Sequence, residues 1–366
     1  MSRFWNQRTR RITPYVPGEQ PRDRAFIKLN TNECPYPPSD AVARVLRDTD
    51  PASLRLYPDP VSLRLRQALS DYYGFPVENI FVGNGSDEVL ALAFQAFFET
   101  GPEGRPIAFP DITYSFYPVY AEQYGIPYRT VPLDRTFGVP VEALAAPSGG
   151  IALANPNAPT GRALPLESVE RLVAADTGRV VIIDEAYVDF GGESSLPLVG
   201  KYDNLLVVMT FSKSRALAGS RLGFAIGSRE LIEGLERVRD SFNSYPVDRI
   251  AEAAGVAALS DGAWFEENRN RIVATREKTA AKLAELGFDV VPSAANFLFA
   301  GMPGVPARVL YTALREEGIL VRYFEKPRID GYLRISVGTP EDMDALCAAL
   351  EGILPRVADA PGAAEA

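Results

Sequence analysis

Histidine is absent from all 366 residues of the chain. Without imidazole the protein cannot build a Ser-His-Asp or Cys-His catalytic site, and it cannot use histidine as a metal ligand. Proton transfer must therefore depend on lysine, aspartate, glutamate, tyrosine or cysteine.

Cysteine is nearly as scarce, since Cys34 and Cys347 are the two cysteines of the chain. They lie far apart and neither belongs to a C-x-x-C pair, so a disulfide framework and a thiolate metal site are both disfavoured. We therefore predict no metal site and a reducing, cytoplasmic location.

Basic residues are outnumbered, because 38 lysines and arginines stand against 47 aspartates and glutamates, a formal net charge of -9. Such a charge disfavours binding to nucleic acid or to acidic membranes. Long hydrophobic runs are also missing: residues 180–183 and 205–209 form stretches far shorter than the ~20 residues of a membrane helix. We expect small-molecule partners instead.

Seven short β-rich segments alternate with helical patterns between about residues 79 and 227. Their sequences are NIFVGN, RPIAFP, PYRTVP, GIALAN, RVVIIDE, NLLVVMT and RLGFAIG. Uninterrupted apolar runs are typical of strands buried on both faces of a mainly parallel sheet that has helices on either side. This part of the chain is predicted to form a large α/β domain.

The pattern changes after about residue 250, where a long helical stretch covers residues 247–286. The strand candidates FDVVPS, ANFLFAG, ILVRYF and YLRISVG follow, and a last helix is predicted over residues 340–354. Thr339 is its expected N-cap, with Pro340 at the first helical position and Asp342 three residues after the cap. This mixture predicts a smaller α+β domain.

Polar residues end several of the predicted strands. One strand ends in Asp184, another in Ser212 and Lys213, and a third leads into Asn157. Because ligands of open parallel sheets bind at the carboxyl ends of the strands, we expect these side chains to share one site.

A possible anion site lies at residues 83–88, directly before an apolar helix. Free backbone N–H groups at a helix start, together with the Ser86 hydroxyl, suit a phosphate. The simpler alternative is that Ser86 or Asp87 caps the helix. The chain contains neither a G-x-x-x-x-G-K-[ST] loop nor a complete G-x-G-x-x-G, so nucleotide binding is not supported.

Lys213 follows a strand that is predicted to be buried, where a lysine is costly unless it is used. Schiff-base chemistry would use it, because an imine lysine needs no full charge in an apolar setting. The alternative is a lysine whose stem reaches solvent.

The neighbouring polar residues match the needs of pyridoxal phosphate. An aspartate against the ring nitrogen keeps the ring protonated, and Asp184 is the candidate. Further candidates to hold the phenolic oxygen, stack on the ring and bind the phosphate are Tyr187, Asn157, Tyr114, Ser212 and Arg221. Taken singly, each has a simpler explanation, such as a core tyrosine, a turn asparagine or an exposed arginine.

Together these motifs resemble the fold-type-I pyridoxal-phosphate aminotransferases, and most closely the histidinol-phosphate aminotransferase family. The resemblance covers nearly the whole chain. The broad superfamily is marked by N-P-N-A-P-T-G at residues 155–161, D-E-A-Y at 184–187 and S-K at 212–213. The narrower family is marked by L-N-T-N-E at residues 29–33 and by the arginine-bearing segments 321–324 and 333–338. Ala158 and Cys34 stand where the family often has asparagine.

The resemblance implies a role for each matching residue. Lys213 carries the cofactor and acts as base and acid, Asp184 pairs with the ring nitrogen, and Asn157 and Tyr187 hold the phenolic oxygen. The phosphate is surrounded by Gly85, Ser86, Asp87, Ser212 and Arg221, and also by Tyr57 of a neighbouring subunit, which implies a homodimer. The anionic group of the substrate is bound by Tyr15, Arg322 and Arg334.

The implied fold has an N-terminal arm at residues 1–28 and a large domain at 50–250 with a mainly parallel seven-stranded sheet. Residues 29–49 and 251–356 form the small domain, and 357–366 are expected to be a disordered tail. The first 16 residues carry four arginines and no acid, which we interpret as a solvated arm rather than a transit peptide.

The implied reaction is a ping-pong transamination in histidine biosynthesis. It interconverts histidinol phosphate and 2-oxoglutarate with imidazole-acetol phosphate and glutamate. An aromatic amino-acid aminotransferase or a phosphothreonine decarboxylase would share the same cofactor site. A catalytically silent pyridoxal-phosphate sensor is a further alternative, although it would normally need an attached effector domain.

Overall fold

The structure, a computed structural model, describes residues 3–21 and 24–358. Its α-helices are α1 (Gln7–Arg11), α2 (Asp40–Asp48), α3 (Leu63–Tyr73), α4 (Gly85–Phe97), α5 (Phe116–Tyr124), α6 (Val141–Ala145), α7 (Leu166–Ala174), α8 (Leu196–Val199), α9 (Arg229–Asp240), α10 (Arg249–Ser260), α11 (Gly262–Glu285), α12 (Ala307–Glu316) and α13 (Pro340–Ala358). Its strands are β1 (Ile27–Lys28), β2 (Ile80–Asn84), β3 (Ile107–Pro110), β4 (Tyr128–Val131), β5 (Ile151–Ala154), β6 (Val181–Asp184), β7 (Leu205–Thr210), β8 (Leu222–Gly227), β9 (Asp289–Val291), β10 (Phe297–Gly301), β11 (Ile319–Leu320), β12 (Arg322–Tyr323) and β13 (Leu333–Ser336).

The larger sheet contains all seven predicted strands, in the order β2-β8-β7-β6-β5-β3-β4. It is parallel except for β8, which pairs antiparallel with both β2 and β7. Alternate residues of β6 enter different cores: Ile183 packs with the hydrophobic cluster on one face and Ile182 with the cluster on the other. The prediction of a mainly parallel, doubly covered sheet is therefore confirmed.

The smaller sheet is antiparallel, in the order β12-β13-β10-β9. Its core joins β10 and β13 to helices α11, α12 and α13 through residues such as Leu298, Leu310 and Leu346. The short strand β1 lies directly before residues 29–33 and pairs in parallel with β11. This pairing fixes the start of segment 29–33.

The long helical stretch of the sequence is two helices, because Asp261 ends α10 and caps α11, accepting a hydrogen bond from Trp264 N at 3.2 Å. Helix α10 contributes to the core of the larger sheet through Ala251 and Ala254. Helix α13 extends to Ala358, two residues into the predicted tail, and the rest of that tail lies outside the described residues. The predicted domain limits stay a prediction.

None of the helices in the described part of the chain is both long and apolar enough to cross a membrane.

The start of α13 yields a stability prediction. Thr339 Oγ1 accepts from Asp342 N at 3.2 Å and Asp342 Oδ2 accepts from Thr339 N at 3.0 Å, so the predicted capping residues bond reciprocally. Thr339→Ala should lower the free energy of unfolding by about 1 kcal/mol, measured by urea titration at fixed protein concentration. Thr339→Ser keeps the oxygen and should lose much less, whereas equal losses would contradict the role of the cap.

Candidate active site

A cavity of about 290 Å³ lies between the larger sheet, the smaller sheet and the N-terminal segment. Eleven of the predicted site residues line it: Tyr15, Ser86, Asp87, Tyr114, Asp184, Tyr187, Ser212, Lys213, Arg221, Arg322 and Arg334. The registers of β5, β6 and β7 explain part of this grouping, because Ala154 pairs with Asp184 and Asp184 with Val208. Three neighbouring strands thus end together.

Lys213 extends its amine into this cavity from the segment that follows β7. Its Nζ lies 3.5 Å from the carbonyl oxygen of Thr31 and 5.7 Å from the ring centre of Tyr187. A hydrogen bond of 3.5 Å is at the limit of the usual geometry and is weak. The amine is therefore held loosely enough to react.

Asp184 is buried at the end of β6. Its Oδ2 accepts from the Tyr117 hydroxyl and its Oδ1 from Ala186 N, both at 3.2 Å. Burial raises the pKa of Asp184 to about 7, although these hydrogen bonds and the charge of Lys213 oppose the rise. A buried carboxyl of this kind is ionised most easily beside a cation, and a protonated ring nitrogen would be one.

Helix α4 provides an anion cradle at its first residue, Gly85. Asn84 does not cap the helix with its side chain, which instead donates to the carbonyl of Pro246 at 2.9 Å. The first N–H groups are left available, as they are in helix-terminal phosphate sites. Ser86 and Asp87 lie inside the first turn, so the simpler alternative of a capping role is wrong for both.

Two glycines let the backbone and Arg221 come close to this helix start. A Cβ on Gly85, whose φ is +82°, would lie 2.6 Å from Arg221 Nη2. A Cβ on Gly223 would lie 2.2 Å from the backbone nitrogen of Ser86. The guanidinium and the helix N-terminus therefore converge on one place, and this arrangement fits the phosphate of the predicted cofactor.

The Asp87 carboxylate has partners of its own. The Tyr114 hydroxyl donates to its Oδ1 at 2.5 Å, and Arg221 Nη2 donates to its Oδ2 at 3.3 Å. Burial, followed by the charge of Asp87, raises the pKa of Tyr114 well above its usual value and keeps the hydroxyl protonated. Asp87 thus orients Tyr114 and Arg221, and its backbone N–H is the group suited to a phosphate.

Three predicted residues do not line the cavity: Gly85, Asn157 and Tyr57. Asn157 is buried, and its Nδ2 donates at 3.0 Å to both the Ile112 carbonyl and Thr160 Oγ1, while its Oδ1 is buried without a partner. Tyr57 is 79% exposed and stacks on Tyr245 with ring centres 4.7 Å apart. Within its own chain, Tyr57 is therefore outside the site.

The two predicted substrate arginines lie directly opposite each other on β12 and β13. Like charges in such a pair repel, so an anion between them would be stabilising. Arg334 Nη2 donates to the Asn30 carbonyl at 2.8 Å, and its Nε is buried without a partner. Arg322 donates to the carbonyls of Val16 and Pro17 at 2.9 and 3.2 Å, which holds the N-terminal segment over the site.

Sequence reasoning assigned no role to the polar residues of segment 29–33, yet Asn30, Thr31, Asn32 and Glu33 all line the cavity. Burial opposes ionisation of Glu33, but hydrogen bonds from Lys28 and Thr31, both at 2.6 Å, and the charges of Lys28 and Lys213 hold its pKa below the ordinary value. The sequence did offer one sign of this role, because residues 30–33 are four consecutive polar residues that do not cap a helix.

The metal-binding residue types do not gather in groups of three or more anywhere in the part of the chain that is described.

The chain matches the family described as aminotransferase class I and II over residues 24–350. It is 56% identical to the histidinol-phosphate aminotransferase of Chromohalobacter salexigens, over 96% of this chain and 99% of that one. The crystal structure of histidinol-phosphate aminotransferase from Sinorhizobium meliloti in complex with pyridoxal-5'-phosphate has a TM-score of 0.83 at 27% identity, covering 91% of this chain and 92% of that one. An L-threonine-O-3-phosphate decarboxylase from Porphyromonas gingivalis shares the fold, with a TM-score of 0.79 at 22% identity, covering 90% of this chain and 99% of that one.

Proposed function

Because this chain belongs to the class I and II aminotransferase family, we propose that it is a pyridoxal-phosphate enzyme of histidine biosynthesis. It transfers the amino group of histidinol phosphate to 2-oxoglutarate and so forms imidazole-acetol phosphate and glutamate. The observation that carries this proposal is one cavity that joins Lys213, Asp184 and the opposed arginines Arg322 and Arg334. The 56% identity to a histidinol-phosphate aminotransferase over nearly the whole chain supports the substrate.

The cofactor, when bound, supplies a ring that withdraws the negative charge developing on the substrate's Cα. Asp184 keeps the ring nitrogen protonated through a buried carboxylate. Tyr187 would hydrogen-bond the phenolic oxygen, and the start of α4 with Ser212 and Arg221 would bind the phosphate. Asn157 would join Tyr187 by redirecting one of the two Nδ2 hydrogens that go to the Ile112 carbonyl and to Thr160 Oγ1. Lys213 anchors the cofactor and takes the proton from Cα, because the chain has no histidine that could do so.

Arg322 and Arg334 bind the anionic group of each substrate. A guanidinium fork suits both phosphate and carboxylate, which allows one site to serve histidinol phosphate in one half-reaction and glutamate in the other. The unpartnered, buried Arg334 Nε gives this arginine a free donor for such a ligand. Tyr15, whose ring packs on Phe116 with centres 4.5 Å apart, closes the site from the N-terminal segment.

Glu33 favours an imidazole over the phenyl ring of an aromatic amino-acid aminotransferase substrate. Its carboxylate lines the cavity and is held ionised, so it can accept the N–H of an imidazole, whereas a phenyl ring offers no donor. Glu33 keeps its bonds to Lys28 and Thr31 with either substrate, so the preference comes from the one additional charge-assisted hydrogen bond that an imidazole N–H makes. A phosphothreonine decarboxylase would share the phosphate contacts but would not use this acceptor.

The functional unit is a homodimer in which Tyr57 reaches the cofactor phosphate of the partner. Five apolar residues of two segments, which we call the apolar patch, are exposed on the single chain: Leu54, Leu56 and Tyr57 in one segment, and Phe242 and Tyr245 in the other. Tyr57 stacks on Tyr245, and Asn84 at the start of α4 holds the carbonyl of Pro246, so the patch adjoins the phosphate cradle. Several large apolar side chains left exposed on two neighbouring segments are typical of an interface between subunits. We also propose that the protein is cytoplasmic.

Single-turnover reactions test the substrate. The holoenzyme mixed with histidinol phosphate should lose the visible absorbance of its lysine-bound cofactor faster than with phenylalanine, tyrosine or phosphothreonine. Lys213→Ala should lack that absorbance and lose on the order of 10²–10⁴-fold in turnover. Lys201→Ala, an exposed lysine paired with Glu170, is the matched control and should behave as the parent. A faster reaction with another amine, or full turnover by Lys213→Ala, would refute the proposal.

Removal of Arg334 tests the shared anion site. Arg334→Ala should raise the KM for both histidinol phosphate and glutamate by on the order of 10- to 100-fold, because each loses charge-assisted hydrogen bonds. Arg308→Ala removes an exposed arginine that pairs with Glu325 and should leave both KM values unchanged. An effect on one substrate alone would show that the two anions bind at different places.

A charge in the apolar patch tests the dimer. The protein should sediment at twice the mass of one chain, and Leu56→Glu should shift it toward the monomer and weaken cofactor retention. Val309→Glu introduces the same charge at another exposed apolar residue, on α12, and should remain dimeric. Sedimentation of the parent protein as a monomer would contradict the assembly.

A further inference from the structure

Asn32 connects the smaller sheet to Tyr187, and its role is not covered by the proposed reaction. It is 1% exposed and has a φ of +55°, in the left-handed region that costs most non-glycine residues energy but that asparagine tolerates. Its backbone is held there by two side chains. Asn32 N donates to Ser336 Oγ at 2.8 Å, and Asn296 Nδ2 donates to the Asn32 carbonyl at 3.0 Å.

The same contacts fix which way the Asn32 amide faces. Ser336 Oγ already accepts from Asn32 N, and its single hydroxyl hydrogen is directed at Asn32 Oδ1, 3.0 Å away. In the opposite orientation the buried Ser336 hydroxyl hydrogen would lose this acceptor. With the amide oxygen facing Ser336, Nδ2 donates to the Tyr187 hydroxyl oxygen at 3.0 Å. Since the three residues are buried or nearly so, water does not replace these contacts cheaply.

Because Tyr187 accepts from Asn32, its own hydroxyl hydrogen is free to point elsewhere. The Tyr187 ring is fixed by an edge contact with Phe297, with centres 5.1 Å apart, and it lines the cavity beside Lys213. The hydrogen bonds therefore run in one direction. Ser336 on the smaller sheet donates to Asn32, and Asn32 donates to Tyr187 at the cavity.

We propose that Asn32 is a positioning residue that holds Tyr187 as a hydrogen-bond donor toward the phenolic oxygen of pyridoxal phosphate. This inference rests on the proposed function, because it assumes that cofactor. A donated hydrogen bond stabilises the anionic phenolic oxygen and makes the linkage between Lys213 and the cofactor less basic. Loss of Asn32 lets the Tyr187 hydroxyl turn away, and the linkage then holds its proton to higher pH.

The experiment is a pH titration of the visible absorbance of the holoenzyme, without substrate. Asn32→Gly is the variant of choice, because glycine accepts the positive φ and keeps the backbone bonds to Ser336 and Asn296. The absorbance midpoint should rise by about 0.5–1 pH unit, as expected for the loss of one hydrogen bond. Asn268→Ala removes another buried asparagine, one that donates to the Trp264 carbonyl outside the cavity, and should leave the midpoint unchanged.

Tyr187→Phe separates this role from a structural one. It should raise the midpoint by itself, and Asn32→Gly added to it should produce no further shift, because Asn32 acts through the hydroxyl that is gone. An unchanged midpoint in Asn32→Gly, or additive shifts in the double variant, would overturn the proposal. A parent protein without visible absorbance after incubation with the cofactor would instead refute the proposed function, so the two failures are distinct.

Discussion

Burial of the Asp184 carboxyl at the end of an apolar strand is the constraint around which the site is organised. The same sheet that makes β6 stable, with apolar residues on both faces, makes an ionised group at its end costly. Two hydrogen bonds reduce that cost, and a cationic ring nitrogen would offset more of it. A cationic ligand beside Asp184 would therefore also stabilise this end of the sheet, since the buried carboxyl is the group that needs a partner.

The two groups of anion-binding donors that line the cavity, at α4 and on β12 and β13, have different physical origins. In the first group, backbone N–H groups of α4 and Arg221 converge because Gly85 and Gly223 leave room for them. In the second group, two arginine side chains are forced together by the register of β12 and β13. A dianionic phosphate suits the first, and a ligand that is phosphate in one half-reaction and carboxylate in the other suits the adaptable pair of side chains.

Segment 29–33 lines the same cavity through residues 30–33, although it forms neither helix nor strand. Thr31 offers its carbonyl to Lys213, Asn30 offers its carbonyl to Arg334, and Asn32 orients Tyr187. Its position depends on the pairing of β1 with β11 and on Ser336 of β13. Movement of the smaller sheet would therefore change the contacts of Lys213, Tyr187 and Arg334 together.

The sequence by itself determined the seven strands of the larger sheet, the polar residues at their ends and the capping pair Thr339–Asp342, because apolar runs and helix caps are local properties. It did not reveal that β8 is antiparallel, that Asp261 separates two helices or which residues contact Asp87. It also did not reveal that Tyr57 lies outside the cavity of its own subunit. Asn32 contacts Tyr187 across 155 positions of sequence and Ser336 across 304. Contacts of that span exist only after both sheets have packed, so the tertiary structure alone decided which polar residues line the cavity and which hold them in place.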